Sequence, residues 1–313
     1  MSDTIDHQFE LPEDLAGMRL DAAIAQCCPQ FSRERIKAWL KDGAIQVNGA
    51  LLRGKDKIAG GEAILIAAKI EVVVESVAEP LALTIVHEDE ALLVINKPAG
   101  LVVHPGAGNP TGTLMNGLLH HCPALAQLPR AGIVHRIDKE TTGLLVIAKT
   151  LEAHTSLVQQ MQEHAITRAY VAIVQGELIS GGTVDQPLAR DPRNRQRMAI
   201  VESGKPAITH YRLAERLSHF TVLNVTLETG RTHQIRVHMA SIQHPLLGDP
   251  VYGGRLKMPK GFSDEQRQTL RDFKRQALHA RLLGLTHPTT GEYCEWEAPL
   301  PEDMGVLLKV LRN

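Results

Sequence analysis

Two periods of apolar residues alternate along this chain. From Ser32, the apolar residues Ile36, Trp39 and Leu40 share one side of a 3.6-residue repeat, while Arg33, Lys37 and Lys41 recur every four residues on the other. That spacing predicts an amphipathic helix with the Ser32 hydroxyl at its N-cap. Residues 43–49 then predict a short strand closed by an Asn48-Gly49 turn. Residues 81–96 are strand-like, broken by a polar turn at His87-Glu88-Asp89-Glu90 and punctuated by Lys97-Pro98-Ala99-Gly100. Helical spacing returns at Leu151, His154, Leu157, Val158 and Met161. Residues 170–174 and 220–227 predict strands, the second alternating Leu223, Val225 and Leu227 with polar neighbours. Strands and helices are interspersed without a regular βαβ rhythm, so the expected architecture is α+β around a mixed sheet.

Composition narrows this picture. The 313 residues, 43% of them hydrophobic and only 4% aromatic, suffice for a large domain and a small one with mainly aliphatic cores. No apolar run approaches the roughly 20 residues needed to cross a bilayer. The acidic N-terminus has neither the basic nor the apolar region of a signal peptide. Cys27, Cys28, Cys122 and Cys294 show no disulfide-framework spacing. Together these features predict a cytoplasmic protein.

A net charge of −1 argues against a nucleic-acid partner until its distribution is followed. Residues 1–16 hold five acids and no Lys or Arg, an acidic tail; residues 17–69 hold nine Lys or Arg against five acids. Glu71, Glu75 and Glu79 then make an acidic linker. Two further basic stretches follow: 187–205, with Arg190, Arg193, Arg195, Arg197 and Lys205, and 253–281, with eight Lys or Arg against three acids. Each alone is ordinarily a solvated surface. With the helical stripe and Arg53, Lys55 and Lys57 they predict an RNA-facing rim that contacts phosphates.

The densest chemistry lies at His135-Arg136-Ile137-Asp138-Lys139-Glu140-Thr141-Thr142-Gly143. It sets one carboxylate between two cations, which favours its ionised form. Charge alone fits a surface turn with a local ion pair, but the apolar flanks at Gly132-Ile133-Val134 and 144–148 predict a loop fixed by buried strands on both sides. The stretch HRIDKETTGL resembles the catalytic motif of the RluA-type pseudouridine synthases. The segments Arg168-Ala169-Tyr170-Val171-Ala172 and 230–238 (GRTHQIRVH) resemble two more motifs of that family in the expected order, as do 104–108 (HPGAG) and 248–253 (GDPVYG). The likeness runs through nearly the whole chain from about residue 15. Ile137 stands where the family usually has Leu, a volume-conserving change.

The resemblance implies a small N-terminal S4-like RNA-binding domain and a catalytic domain with a mixed, largely antiparallel sheet and a cleft across it. The expected boundaries are a tail at 1–16, the S4-like domain at 17–75, a linker at 76–82 and the catalytic domain at 83–313. The implied reaction is site-specific isomerisation of uridine to pseudouridine, in which no atom is gained or lost overall and no cofactor is required. Accordingly, no phosphate-loop or dinucleotide-loop motif occurs. The glycine-rich 104–109 segment is expected to be a turn near the cleft. By resemblance, Asp138 is the nucleophile or general base, Arg236 its partner, Tyr170 the ring that stacks on the target base, and Arg136 the residue filling the gap left by a flipped nucleotide. Arg33, Lys37, Lys41, Arg53, Arg193 and Arg195 are the expected RNA contacts. The implied partner is 23S ribosomal RNA of the large-subunit precursor, at the helix 69 stem-loop, with other ribosomal or transfer RNA sites as alternatives. A monomer suffices.

Rival readings fit less well. His120, His121, His135, His233 and His238 match no metal-ligand spacing, so no metal is expected. The kinase catalytic loop needs Asp directly after Arg, where this chain has Ile137. Asp138-Lys139 resembles the phosphorylated aspartate of P-type ATPases, but those are membrane pumps. A non-catalytic RNA-binding assembly factor would have no need of Asp138, Tyr170 and Arg236 together.

Overall fold

The computed structural model describes residues 4–29, 31, 33–69, 77–106, 108–256 and 258–312. The chain divides into two compact units, 1–75 and 76–313.

The first unit is a three-stranded antiparallel sheet with two helices, in the order β1 (Thr4–Glu10), α1 (Leu20–Cys27), α2 (Arg33–Lys41), β2 (Ile45–Val47) and β3 (Ala63–Lys69). The sheet order is β1-β3-β2. Leu20, Ile24, Ile36, Leu40, Ile45, Ile64 and Ile66 form its aliphatic core, and Trp39 packs edge-on against Phe31 at 4.9 Å. The 3.6-residue repeat of α2 thus buries its apolar stripe. The Ser32 cap lies outside the described residues. Asn48 (φ 49°) and Gly49 (φ 76°) both adopt the positive φ that a type I′ hairpin turn demands.

The expected free acidic tail is corrected here. Residues 4–10 pair with β3 along their whole length, from Thr4 opposite Lys69 to Glu10 opposite Ala63, and Leu11 and Leu15 are buried. The acids ride on the exposed side of an edge strand, where charge discourages further strand pairing.

Among the described residues of the second unit, nine strands form one mixed sheet. They are β4 (Ile85–Glu88), β5 (Leu92–Lys97), β6 (Thr142–Ala148), β7 (Thr167–Gln175), β8 (Gly182–Asp185), β11 (Ile208–Leu217), β12 (Phe220–Leu227), β13 (Leu278–Thr286) and β14 (Tyr293–Glu297). The order is β4-β5-β6-β13-β7-β12-β11-β8, with β14 on β13. Every pairing is antiparallel except β6 with β13. A separate hairpin of β9 (Leu188–Arg190) and β10 (Met198–Ile200) stands apart from the sheet.

Helices cover both faces. Leu114 and Leu118 of α3 (Leu114–His121) and Ile235 and Met239 of α5 (Gln234–Ser241) pack with Leu145, Tyr170, Ala172 and Val225. Leu157 of α4 (Leu151–Gln162) packs with Val94, Val146 and Leu285 on the other face. Leu270 of α6 (Asp264–Asp272) and Leu307 of α7 (Glu302–Leu311) pack there with Val171, Ile173 and Phe220. Strand β6 is buried at every position, as its unbroken apolar run requires.

Of the stretch expected as a linker, the described part docks onto this unit. Asn116 Nδ2 donates to Val77 O (2.7 Å), Gly112 N donates to the Glu79 carboxylate (2.9 Å), and Leu81 lies against Gly117 where a Cβ would come within 2.9 Å.

Candidate active site

The loop carrying Asp138 is held rigid by groups far from it in sequence. At its exit, Gly143 has φ +115°, and a Cβ there would stand 2.2 Å from Ala280 O, so only glycine allows β6 to approach β13 at this point. Behind the loop, the Lys97 ammonium at the end of β5 is 1% exposed and donates to Pro98 O (2.7 Å), Leu101 O (3.0 Å) and Lys139 O (2.8 Å). Burial pulls the Lys97 pKa down to about 7. Arg275 donates to Glu140 O (3.2 Å) and Gln276 to the Thr141 hydroxyl (3.0 Å). His135 accepts from Val146 N (3.1 Å), and burial pushes its pKa well down, keeping the ring a neutral acceptor.

The approach side differs from expectation. Instead of a strand, a tight 3-10 turn at Pro129–Gly132 leads in, with Arg130 (φ 53°) and Ala131 (φ 51°) left-handed, and a single bridge joins Ile133 to Ile147. Consecutive left-handed residues cannot continue a ladder.

The charge arrangement around Asp138 is also not the local one. Arg136 and Lys139 are exposed. The hydrogen-bonded partner is Arg236 from α5, whose Nη1 donates to Asp138 Oδ2 at 2.9 Å. The rest of the guanidinium is occupied by Asp249: Nε donates to Oδ2 (2.7 Å) and Nη2 to Oδ1 (2.9 Å). Asp249 Oδ1 accepts in addition from Val251 N (2.8 Å) and Tyr252 N (3.0 Å). Burial opposes the charge on Arg236, but Asp249 and then Asp138 outweigh it, and its pKa is raised. The Asp249 carboxyl is likewise held below the usual range against its burial, chiefly by Arg236.

His233 and Tyr252 extend this network. Tyr252 Oη accepts from Met198 N (2.8 Å) and lies 2.8 Å from His233 Nδ1. Where the hydroxyl donates to Nδ1, the His233 proton sits on Nε2, 3.9 Å from Asp138 Oδ2; in the other tautomer Nδ1–H donates to the hydroxyl. Burial depresses the His233 pKa, consistent with a neutral ring. The Tyr252 ring lies against two guanidinium groups, Arg236 and Arg197, each 5.1 Å from its centroid. The hairpin of β9 and β10 is thereby anchored to the site.

Asp138 opens into a cleft of about 610 Å³ including its mouth. Tyr170 from β7 is on its wall, 6% exposed, beside Leu227, Ile235 and Leu278. Burial raises the Tyr170 pKa, so the phenol stays protonated. The cleft brings together Asp138, Tyr170, Arg236 and Arg136.

It does not include Arg193 and Arg195, which are exposed on the turn between β9 and β10. Arg33, Lys37, Lys41 and Arg53 belong to the first unit, and part of their charge is already matched. Arg33 donates to the buried Asp21 carboxylate (2.8 Å), Lys37 lies 3.8 Å from it, and Arg53 pairs with Asp56 (3.2 Å). Burial would raise the Asp21 pKa, but Arg19 and Arg33 hold it at about 2. In the stretch 253–281, Arg275 is bound to Asp303 and Arg281 to Glu297. Sequence reasoning did not assign roles to Lys97, Arg168, His233, Asp249 or Tyr252. The signals present were the Lys-Pro pair ending a strand and the GDPVYG run.

Comparison with known proteins gives a match to the model of the RNA pseudouridylate synthase family over residues 91–241. The chain is 55% identical to ribosomal large subunit pseudouridine synthase D of Pseudomonas aeruginosa, over 100% of this chain and 98% of that one. It is 54% identical to the protein of that name from Escherichia coli K12, over 96% and 92% of the two chains. Among solved structures, human RNA pseudouridylate synthase domain containing 4 superposes with a TM-score of 0.58 at 27% identity, covering 73% of this chain and 93% of that one. Human RNA pseudouridylate synthase domain containing 1 gives 0.53 at 26% identity, over 75% and 97%.

Proposed function

The chain belongs to the RluA-type family of RNA pseudouridine synthases, and from that membership we propose that it isomerises uridine to pseudouridine in the large-subunit ribosomal RNA, at the helix 69 stem-loop of 23S RNA. The observation that carries the mechanism is the carboxylate of Asp138, anchored by Arg236 and facing a cleft walled by Tyr170. The reaction breaks the C1′–N1 bond, rotates the uracil and forms C1′–C5, after which the C5 proton leaves and N1 gains one. Substrate and product are isomers, so the protein has to supply only positioning, charge and a proton acceptor.

Asp138 acts at the ribose, as nucleophile at C1′ or base on the sugar. One carboxylate serves where glycoside hydrolases generally use two, because the detached uracil carries negative charge on its own ring. Arg236, itself locked by Asp249, sets the carboxylate's direction. Tyr170 offers its face to the extruded base. Arg136, exposed at the mouth, enters the gap left in the RNA.

We assign the first unit as an S4-like RNA-binding domain, with Arg33, Lys37, Lys41 and Arg53 on phosphates, and give Arg193 and Arg195 the same role in the catalytic unit. The enzyme acts as a monomer in the cytoplasm, where ribosomal subunits are assembled. Release of tritium from RNA carrying 5-tritiated uridine tests the chemistry, since mass does not distinguish isomers. Asp138→Ala is expected to abolish release and keep RNA binding; near-native turnover by that variant overturns the assignment. Maps of pseudouridine in ribosomal RNA from cells with and without the gene test the site.

A further inference from the structure

A second groove adjoins the cleft, with a volume of about 850 Å³ including its open side. Val134, Val158 and Met161 line it with aliphatic surface, and Arg168, Gly230 and Arg231 are shared with the first cleft. Arg168 is therefore the partition between the two. It leaves β7 two residues before Tyr170, on the same face of the strand, and is 7% exposed.

Its guanidinium is incompletely satisfied. Nη2 donates to Glu228 O at 3.2 Å, while Nε is buried and has no hydrogen-bond partner among the described residues. Gly230 makes room for it: a Cβ there would lie 2.7 Å from Arg168 Nη1. Among the described residues no carboxylate supplies the missing acceptor, since the Glu228 side chain is engaged by His210 (2.6 Å). Nε is sealed from the groove, so a bound acceptor is met by the terminal nitrogens, for which the one bond among the described residues is Nη2 to Glu228 O. A guanidinium is matched in shape and charge to a phosphate.

We propose that this groove seats the nucleotide adjoining the target uridine in the RNA strand, with the phosphate linking the two held by Arg168 and Arg231. The base of that nucleotide rests on Val158 and Met161. The inference builds on the reading of the first cleft as the uridine site. It makes the neighbour of the target a determinant of which uridine enters.

The test uses a large-subunit ribosomal RNA fragment that the wild-type enzyme modifies, made with one neutral methylphosphonate on either side of the target uridine. One of the two linkages is expected to raise KM about tenfold, the loss of one charge-assisted contact. Arg168→Gln raises KM by a similar factor and then shows no further response to that linkage. Met161→Glu, which puts a carboxylate in the groove and leaves Arg168 in place, raises KM as well. Penalties of Arg168→Gln and the methylphosphonate that multiply, or an unchanged KM for Met161→Glu, overturn the proposal. Should Arg168→Gln fail to fold, the methylphosphonate series on the wild type and Met161→Glu decide alone, and no rise in KM at either linkage overturns it. Absence of tritium release by the wild-type enzyme from any ribosomal RNA fragment would instead reject the uridine reading itself.

Discussion

Arg236 Nη1 and Asp138 Oδ2 meet at 2.9 Å across 98 residues of sequence, and the other edge of the same guanidinium is clamped by Asp249. The carboxylate that faces the cleft is thus oriented by a cation that cannot turn away.

Removing the clamp should therefore impair catalysis without touching the cleft. Asp249→Ala leaves the buried Arg236 charge half unpaired and frees Tyr252 N and Val251 N. A loss of about 3–5 kcal/mol in stability is expected, as for breaking one side of a buried ion pair. Asp249→Asn, which keeps the shape, should lose less stability yet still lower kcat, because the amide cannot accept from both Nε and Nη2 in the same way. Urea denaturation and tritium release measure the two effects. Equal kcat for Asp249→Asn and wild type would show that Asp138 needs no such orientation.

Gly143 and Gly112 provide a contrast between crowding and conformation. Both have positive φ, +115° and +66°, but a Cβ at Gly143 meets Ala280 O at 2.2 Å while one at Gly112 meets nothing within 4 Å. Gly112→Ala should cost about 1 kcal/mol. Gly143→Ala must separate β6 from β13 and displace the Asp138 loop, so a loss above about 3 kcal/mol and of nearly all activity is expected. Thermal melts of the two variants side by side check this.

Lys97 predicts a pH effect. Its folded pKa lies near 7, below the value of 10.5 for an unstrained lysine, because burial disfavours the charge. Between those values the unfolded chain binds more protons than the folded one, so stability rises with pH through that window. Below pH 7 the ammonium is charged in both states and the full burial cost is present. Lys97→Met removes the titration together with three hydrogen bonds to the catalytic loop. Wild type should gain stability relative to Lys97→Met on going from pH 7 to pH 10; a constant difference would mean that Lys97 stays charged throughout.

Much of this architecture was legible because local periods coincide with elements. The alternation at 220–227 is β12, the spacing at Leu157, Val158 and Met161 follows α4's buried and half-buried side although Leu151 is exposed, and Asn48-Gly49 is the turn it announces. Where summed charge was followed instead of period, the reading failed: Asp6, Gln8 and Glu10 alternate with Ile5, His7 and Phe9, and five acids in sixteen residues hid a strand. The basic stripe of α2 was visible, but the buried Asp21 that engages Arg33 was not, because it comes from another helix. The site followed the same rule. Asp138, Tyr170 and Arg236 were found through motifs, whereas Asp249 and Lys97 act through contacts that only the order of strands creates. The left-handed Arg130 and Ala131 carry no signal that distinguishes them from an apolar strand approach.

The hydroxyl of Tyr252 is the last element whose removal is informative. It accepts from Met198 N, and in the tautomer in which it donates to His233 Nδ1 it leaves Nε2–H turned towards Asp138. Tyr252→Phe keeps the ring against Arg236 and Arg197 but leaves His233 free to place its proton on Nδ1. A lone pair on Nε2 would then face the Asp138 carboxylate, an unfavourable contact that turns the imidazole or the acid aside. A fall in kcat of about tenfold with KM little changed is expected, the scale of one misdirected hydrogen bond. The variant's activity should also recover in part as the pH falls far enough to protonate His233, whose pKa burial lowers, because the imidazolium has a donor on Nε2 whichever tautomer prevails. A tritium-release profile against pH that is lowered uniformly, with no recovery on the acid side, would show that His233 does not act through its proton.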